Sequence, residues 1–385
     1  MKFITTADWH IHEFSDFSRI LNVAWSTHYK RFMELDIPEA KPMNSRLFNI
    51  LNGLCDMREY ATQHNITHII NAGDVFHKRG SISVTAFNAV HTVLESFHRA
   101  GISMYIIAGN HDQVDSSISP ETSIHTFKDM CNIIEKPQII SLAQGLDTIS
   151  LVLVPYSKDK KFIMDSLYDL KCQVNSKKSI LVAHLGINGG TVGSGMYMMS
   201  DEYSLKDLTY DKWKYVVLGH YHQPQRLTHN TIYAGTPIQN TFNDELPDDY
   251  EGGGYNGFFV LDTNMDNCDE KAIEFVPIVA PRYKTVQAVE EMNKYPPDTF
   301  FRIKTTSKEI DQTVVQVEEM PNVRVEVEKE YETVSRSSIG LCDSLEETVR
   351  KYTKENYHGE NSNILDMGLK ILHSVSTGDG DINAI

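Results

Sequence analysis

At 385 residues, 41% of them hydrophobic and 23% charged, the chain has the composition of a globular protein, long enough for one large domain with accessory units. A formal net charge of −16 excludes simple adhesion to a polyanion through a generally basic surface. No apolar run approaches the roughly 20 residues of a membrane-spanning helix, so no membrane partner is expected.

The chain opens on an apolar strand-like run, Phe3 to Thr6, that leaves no room for a signal peptide before Asp8-Trp9-His10. Its five cysteines are scattered, with no Cys-x-x-Cys, which fits a reducing cytoplasm. The periodicity of Asn44 to His64 predicts a helix, with Leu47, Ile50, Leu51, Leu54 and Met57 on one face. A strand at His68 to Asn71 then leads into Gly73-Asp74-Val75-Phe76-His77, and Thr85 to His98 repeats the helical pattern. Met104 to Ile107 runs into Gly109-Asn110-His111-Asp112, Ile180 to Ala183 into His184-Leu185-Gly186, and Tyr215 to Leu218 into Gly219-His220-Tyr221-His222. Another apolar run spans Leu151 to Val154. Short continuous apolar strands alternating with helices predict a layered α/β fold.

Strands follow one another at Thr231 to Ala234, Gly257 to Asp262 and Ala272 to Ile278, predicting a second sheet packed on the first. The acidic Asn243 to Gly254 reads as a mobile surface loop, and the lysines at 158–161 and 177–178 as solvated loops. Beyond Pro281 the pattern changes to strands at Tyr283 to Gln287, Thr299 to Thr305 and Val323 to Val327, with a helix at Glu309 to Met320. Two amphipathic helices close the chain, the first capped by Ser344 and Glu347, the two separated by His358-Gly359, with a disordered tail from Thr377. The expected division is 1–281, 282–334 and 335–385.

Five polar blocks therefore sit at the carboxyl ends of strands, where open α/β sheets bind ligands. Asp8 and His10 can face one ion, and Asp74 can bridge two. The donors divide into Asp8, His10, Asp74 and His222 for one ion, and Asp74, Asn110, His184 and His220 for the other. Such nitrogen and oxygen donors suit manganese, iron or zinc better than magnesium. A pair of ions lowers the pKa of a shared water and polarises a phosphoryl group. His111 is left to stabilise developing charge or protonate the leaving oxygen, Asp112 to orient its ring, and His77 to contact the phosphate.

These blocks resemble the five motifs of calcineurin-like metallophosphoesterases. Ala7-Asp8-Trp9-His10, Asn71-Ala72-Gly73-Asp74-Val75-Phe76 and Ala108-Gly109-Asn110-His111-Asp112 are similar more narrowly to the SbcD-type nucleases of double-strand-break repair, which include phage recombination-endonuclease subunits. The likeness is strong over residues 1 to about 240. It implies a four-layer α/β/β/α sandwich with a small α+β capping domain and a C-terminal helix-loop-helix. It also implies manganese-dependent exonuclease and endonuclease activity on DNA. The partners implied are an SbcC-type coiled-coil ATPase gripped through residues 343–375, and a second copy met through helices near 85–98 and 123–130. The chain departs from the pattern at His12, where many relatives have glycine, in the long segment 13–44, and at His77, where others carry a carboxylate. A phosphatase or cyclic-nucleotide phosphodiesterase using the same metals is the alternative, although phosphoprotein phosphatases carry Gly-Asp-x-Val-Asp-Arg-Gly where this chain has Gly-Asp-Val-Phe-His. A catalytically dead scaffold is a third, but it predicts missing donors, and none is missing.

Overall fold

Each of the short apolar runs pairs with its neighbours into one of two six-stranded sheets, seen in a computed structural model that describes residues 1–22, 42–115, 120–144, 147–192, 197–198, 203–307, 309–327, 345–356 and 362–377. The first sheet has the order Ile273–Pro277, Gly257–Asp262, Lys2–Thr6, His68–Asn71, Ser103–Ile107, Asn132–Ile134. Its last four strands are parallel, and Gly257–Asp262 runs antiparallel to both its neighbours. The second has the order Gln225–Thr228, Thr231–Tyr233, Tyr215–Gly219, Ser179–His184, Asp147–Val154, Gln138–Gln144, with four parallel strands inside two antiparallel edges.

Alternate residues of a strand point to opposite faces, and that period stacks the layers. Phe3, Ile70 and Ile107 of the first sheet meet Leu151, Val182 and Val217 of the second in a shared core. On the outer side of the first sheet, Ile4, Ile69 and Ile106 pack against the helices Ser45–Gln63 and Val84–Arg99 through Leu51, Leu54, Val90 and Leu94. On the far side of the second, Val152, Leu181 and Val216 cover Ile163 and Leu167 of a third helix, Lys160–Lys171. The result is the four-layer α/β/β/α sandwich. The third helix replaces part of the expected lysine-rich loop: Asp159 caps it by accepting the Phe162 N–H at 3.0 Å, so Lys160 and Lys161 lie in its first turn.

By contacts the chain divides into two compact units, residues 1–328 and 329–385. Residues 282–327 lie within the first and form a small sheet of their own. Tyr283–Val286, Phe300–Thr305 and Val323–Val327 run parallel, with the helix Ile310–Val317 crossing over. Val286, Phe301, Ile303 and Val317 make its core. Its other face brings Tyr283 and Phe300 against Phe242 and Phe17. The Arg46 guanidinium stands beside Phe14, Tyr283 and Phe300 while donating to the carbonyl oxygens of Asp16 and Asn240.

The segment 243–254 is not the loose loop its composition suggests. Asp244, Glu245 and Leu246 are buried, and Asp248 pairs with Arg282 at 2.7 Å and Lys284 at 3.0 Å. Acidic residues are conspicuous there because they are anchoring the small sheet. A second difference lies at Ser123 to Met130, which is a single 3-10 turn, His125–Phe127, because Ile124 and Phe127 both turn into the core. Only Val84–Arg99 of the two expected dimer elements is a helix.

In the second unit, Leu345–Asn356 and Ser362–Thr377 are helices, and Gly368 lets them approach, since a Cβ there would stand 3.1 Å from Val349 Cγ1. Leu345, Ile364 and Met367 are exposed. Ser344, His358, Gly359, the tail after Thr377 and residues 23–41 of the 13–44 segment lie outside the described residues. No described helix is long and apolar enough to cross a membrane.

Candidate metal centre

The five loops converge because their parent strands are parallel and end at the same edge. Lys2–Thr6, His68–Asn71 and Ser103–Ile107 supply three from one sheet, Ser179–His184 and Tyr215–Gly219 two from the other. Local backbone then turns the side chains inward. Asp8, His10, Asp74 and His220 have φ of 51°, 46°, 58° and 102°, four of the seven positive values at non-glycine positions among the described residues. Such conformations are costly and persist where surrounding contacts impose them. Here the Asp8 N–H donates to the Gly73 carbonyl at 2.8 Å, the His10 N–H to the Asp74 carbonyl at 3.1 Å, and the His220 N–H to Asp8. Gly109 is required for the same closeness, since a Cβ there would collide with the Asp74 carboxylate.

Two imidazoles have their tautomer set from behind. The His184 Nδ1–H faces the Ala72 carbonyl at 2.7 Å, leaving Nε2 at 2.9 Å from Asn110 Oδ1 and 3.4 Å from Asp74 Oδ2. The His222 Nδ1–H faces Asp244 Oδ1 at 2.8 Å, leaving Nε2 at 2.9 Å from His10 Nε2. His220 Nδ1 stands 3.2 Å from the same Asn110 oxygen, and His10 Nε2 is 3.8 Å from Asp74 Oδ2. Among the described residues His10 Nδ1, which is buried, has no hydrogen-bond partner. Asp8, His10, Asp74, Asn110, His184, His220 and His222 are thus brought together. Ring nitrogens aimed at each other and at carboxylates, with the opposite N–H groups of His184 and His222 spent on fixed acceptors, make the donor set that divalent ions take.

The charges are mutually dependent. Burial opposes charge on His184 and His222, yet Asp74 with Asp8, and Asp244 with Asp8, outweigh it and hold both rings up to about 9. Burial pushes Asp8 up to about 6, while the same two histidines pull it down. Asp74 is buried too, but His184, His10 and His111 hold it well below the usual carboxylate range. Burial brings His77 and His220 down to about 4, helped respectively by His12 and His184. Divalent cations would displace protons from such a cluster.

His111 lies beside the donors, its ring 4.8 Å from that of His10. Its main-chain N–H donates to Asp74 Oδ1 at 2.7 Å, and its Nδ1 meets the His77 carbonyl at 2.5 Å. Asp112 does not orient that ring. Its oxygens accept the main-chain N–H groups of Asp74, Val75 and Phe76, which the tight turn after Gly73 leaves pointing inward, and of Gly109 in its own loop, at 2.9 to 3.2 Å. Burial, with the charge of Asp74, pushes its carboxyl up to about 7. His77 stacks between His12 and His111, at 5.3 and 5.8 Å.

Asp244 escaped the sequence reading. No motif carries it, and it lies 22 residues after His222 in a stretch that composition marks as loop. It also accepts the N–H groups of Asn240 and Thr241 at 2.8 Å, so its oxygens are fixed before His222 binds them. Asp244→Asn is expected to weaken binding of Mn(II) by ~10- to 100-fold. Isothermal titration of the wild type and variant would measure it, and equal affinities would remove Asp244 from the site.

Residues 1–224 match the calcineurin-like phosphoesterase family. The chain belongs to that family. Its members are enzymes that work with divalent metal ions, and among the described residues three donor groups, Asp8/His10/His222, Asp8/Asp74/His184 and His10/His77/His111, each have ligand atoms within 4.8 Å of one another. The chain is 25% identical over 214 residues, 54% of its length and 55% of the relative's, to the DNA double-strand break repair protein Mre11 of Methanocaldococcus jannaschii. It is 25% identical over 230 residues to exonuclease subunit 1 of Enterobacteria phage T4, covering 59% of this chain and 60% of that one. The alignments thus span little more than half of either relative. A crystal structure of a dimetal phosphatase from Danio rerio overlaps with a TM-score of 0.34 at 10% identity, over 68% of this chain and 91% of that one, too loosely to add to the comparison.

Proposed function

We propose that this phosphoesterase is the nuclease subunit of an SbcC-SbcD-type complex, hydrolysing phosphodiester bonds of DNA as exonuclease and endonuclease with two manganese ions. The observation that carries the chemistry is the set of imidazole nitrogens facing carboxylates, with His184 and His222 locked from behind by Ala72 and Asp244. Asp8, His10, Asp74 and His222 would hold one ion, and Asp74, Asn110, His184 and His220 the other. Bound there, divalent ions supply a water of lowered pKa and offset charge on the phosphoryl oxygens.

The chain's own groups do the rest. Asp112 holds the turn that presents Asp74. With His111 Nδ1 facing the His77 carbonyl, its Nε2 is left to hold a proton for the leaving oxygen. The His77 ring, stacked on that of His111, limits its rotation. Support for DNA as substrate comes from the names of the two relatives and from the small sheet at 282–327, which stands over one side of the cleft. Residues 343–375 would grip a coiled-coil ATPase through exposed Leu345, Ile364 and Met367, and Val84–Arg99 would face a second copy.

With Mn(II), the protein should degrade labelled linear DNA and leave a phosphopeptide intact. Deleting residues 343–385 should spare hydrolysis of a small phosphodiester and abolish association with the ATPase. Phosphopeptide turnover matching that of DNA would favour the phosphatase reading.

A further inference from the structure

Beside His220 and His222 a cavity of about 400 Å³ opens toward the small sheet, walled by Tyr221, Phe242, Arg302 and Lys304. Arg302 and Lys304 are two apart on the strand Phe300–Thr305, so they share the face that Phe300 begins. Phe300 closes the seam with Tyr283 and Phe242, and the two cations continue outward from that seam over the cleft.

Among the described residues these two cations form no ion pair, although Asp244 lines the same cavity, while others nearby are paired. Arg282, just before the adjacent strand, and Lys284 on it are matched by Asp248 and Glu245. Glu326 faces Lys304 across the sheet, but Arg324 engages it at 2.7 Å. Arg302 stacks on Phe242, its Cζ 4.7 Å from the ring centre, and donates from Nε and Nη2 to the Thr285 hydroxyl at 3.2 and 2.9 Å. Among the described residues neither Arg302 nor Lys304 has a carboxylate within ion-pair distance. Arg302 is therefore held by an aromatic ring and by a hydroxyl that in turn donates to Glu245 Oε2 at 2.8 Å, and among the described residues its Nη1 has no hydrogen-bond partner. A pre-oriented guanidinium beside a flexible ammonium is the pairing that recognises phosphate oxygens.

We propose that Arg302 and Lys304 form a phosphate-binding subsite that holds successive backbone phosphates of the substrate strand next to the scissile one. The subsite rests on the nuclease reading and deepens it. In a chain of net charge −16, two local cations aligned with the metal centre set the path of the strand where overall charge opposes binding. The small sheet thereby contributes to DNA binding through two named side chains as well as through its bulk.

The test is equilibrium binding of a fluorescein-labelled single-stranded oligonucleotide in EDTA, read by anisotropy across a salt series. Each lost phosphate contact should lower the slope of log Kd against log salt by about 0.7. Lys304→Gln, which removes no intramolecular bond, should show one such step, and the double variant Arg302→Gln/Lys304→Gln two, with Kd weakened on the order of 10-fold. Lys161→Gln, on the outer helix Lys160–Lys171 and paired with Asp165, should bind as the wild type does. Unchanged slopes and Kd in both Lys304→Gln and the double variant would overturn the subsite. If the wild type under Mn(II) hydrolyses neither bis-p-nitrophenyl phosphate nor DNA, the nuclease reading itself falls and the subsite with it. Hydrolysis of both, with binding unaltered in the variants, removes the subsite alone.

Discussion

His111→Ala is expected to lower turnover of linear DNA by ~10²- to 10⁴-fold, the range for loss of a positioned proton donor, while both metal ions still bind. The ring belongs to neither proposed donor set, yet it is fixed among them. Its Nδ1 faces the His77 carbonyl at 2.5 Å, and its main-chain N–H donates to Asp74 at 2.7 Å. The main-chain bond survives the substitution, so Asp74 keeps its place and metal content measured by mass spectrometry should equal that of the wild type. Metal loss in parallel with activity would instead make His111 a ligand, which the group His10/His77/His111 also permits. Full activity would end its role altogether.

Asp112→Ala should cost folding stability rather than chemistry alone. Four buried main-chain N–H groups would lose their acceptor together, and each unsatisfied donor costs ~1–3 kcal/mol. The sum, at least about 4 kcal/mol, is a large share of the ~5–15 kcal/mol that holds a domain folded. Asp112→Asn should be destabilised too, because its amide turns two donors toward donors. Urea unfolding followed by tryptophan fluorescence would read the change through Trp9, which lies in the core beside this loop. A loss below about 1 kcal/mol would mean that the turn finds other acceptors.

That contrast between two adjacent residues shows how far a motif can be read. Asn110-His111-Asp112 is visible as a unit in the sequence, and all three residues lie at the cleft, but their jobs differ by which atoms face which neighbours. Trp9, Val75 and Phe76 mark the family as plainly as the donors do, yet all three are fully buried. The Trp9 indole N–H donates to the Thr6 hydroxyl, and Phe76 stacks with Phe127. They are packing residues that fix where Asp8 and Asp74 emerge. The strands His68–Asn71, Ser103–Ile107 and Tyr215–Gly219 were legible from their continuous apolar runs, since both faces are covered. The helix Lys160–Lys171 was hidden because half of its surface is solvated and its first turn is basic.

Local sequence determined the strands, their exits and the polar side chains waiting there, because hydrophobic periodicity and short motifs act over a few residues. Tertiary structure alone decided what stands behind those side chains. Asp244 reaches His222 through a turn 22 residues away, Asp112 spends its charge on a neighbouring loop, and Arg302 and Lys304 arrive at the cleft from a separate sheet. Such partners are joined by folding across long stretches of chain, where charge and hydrogen-bond geometry leave no periodic trace in the sequence.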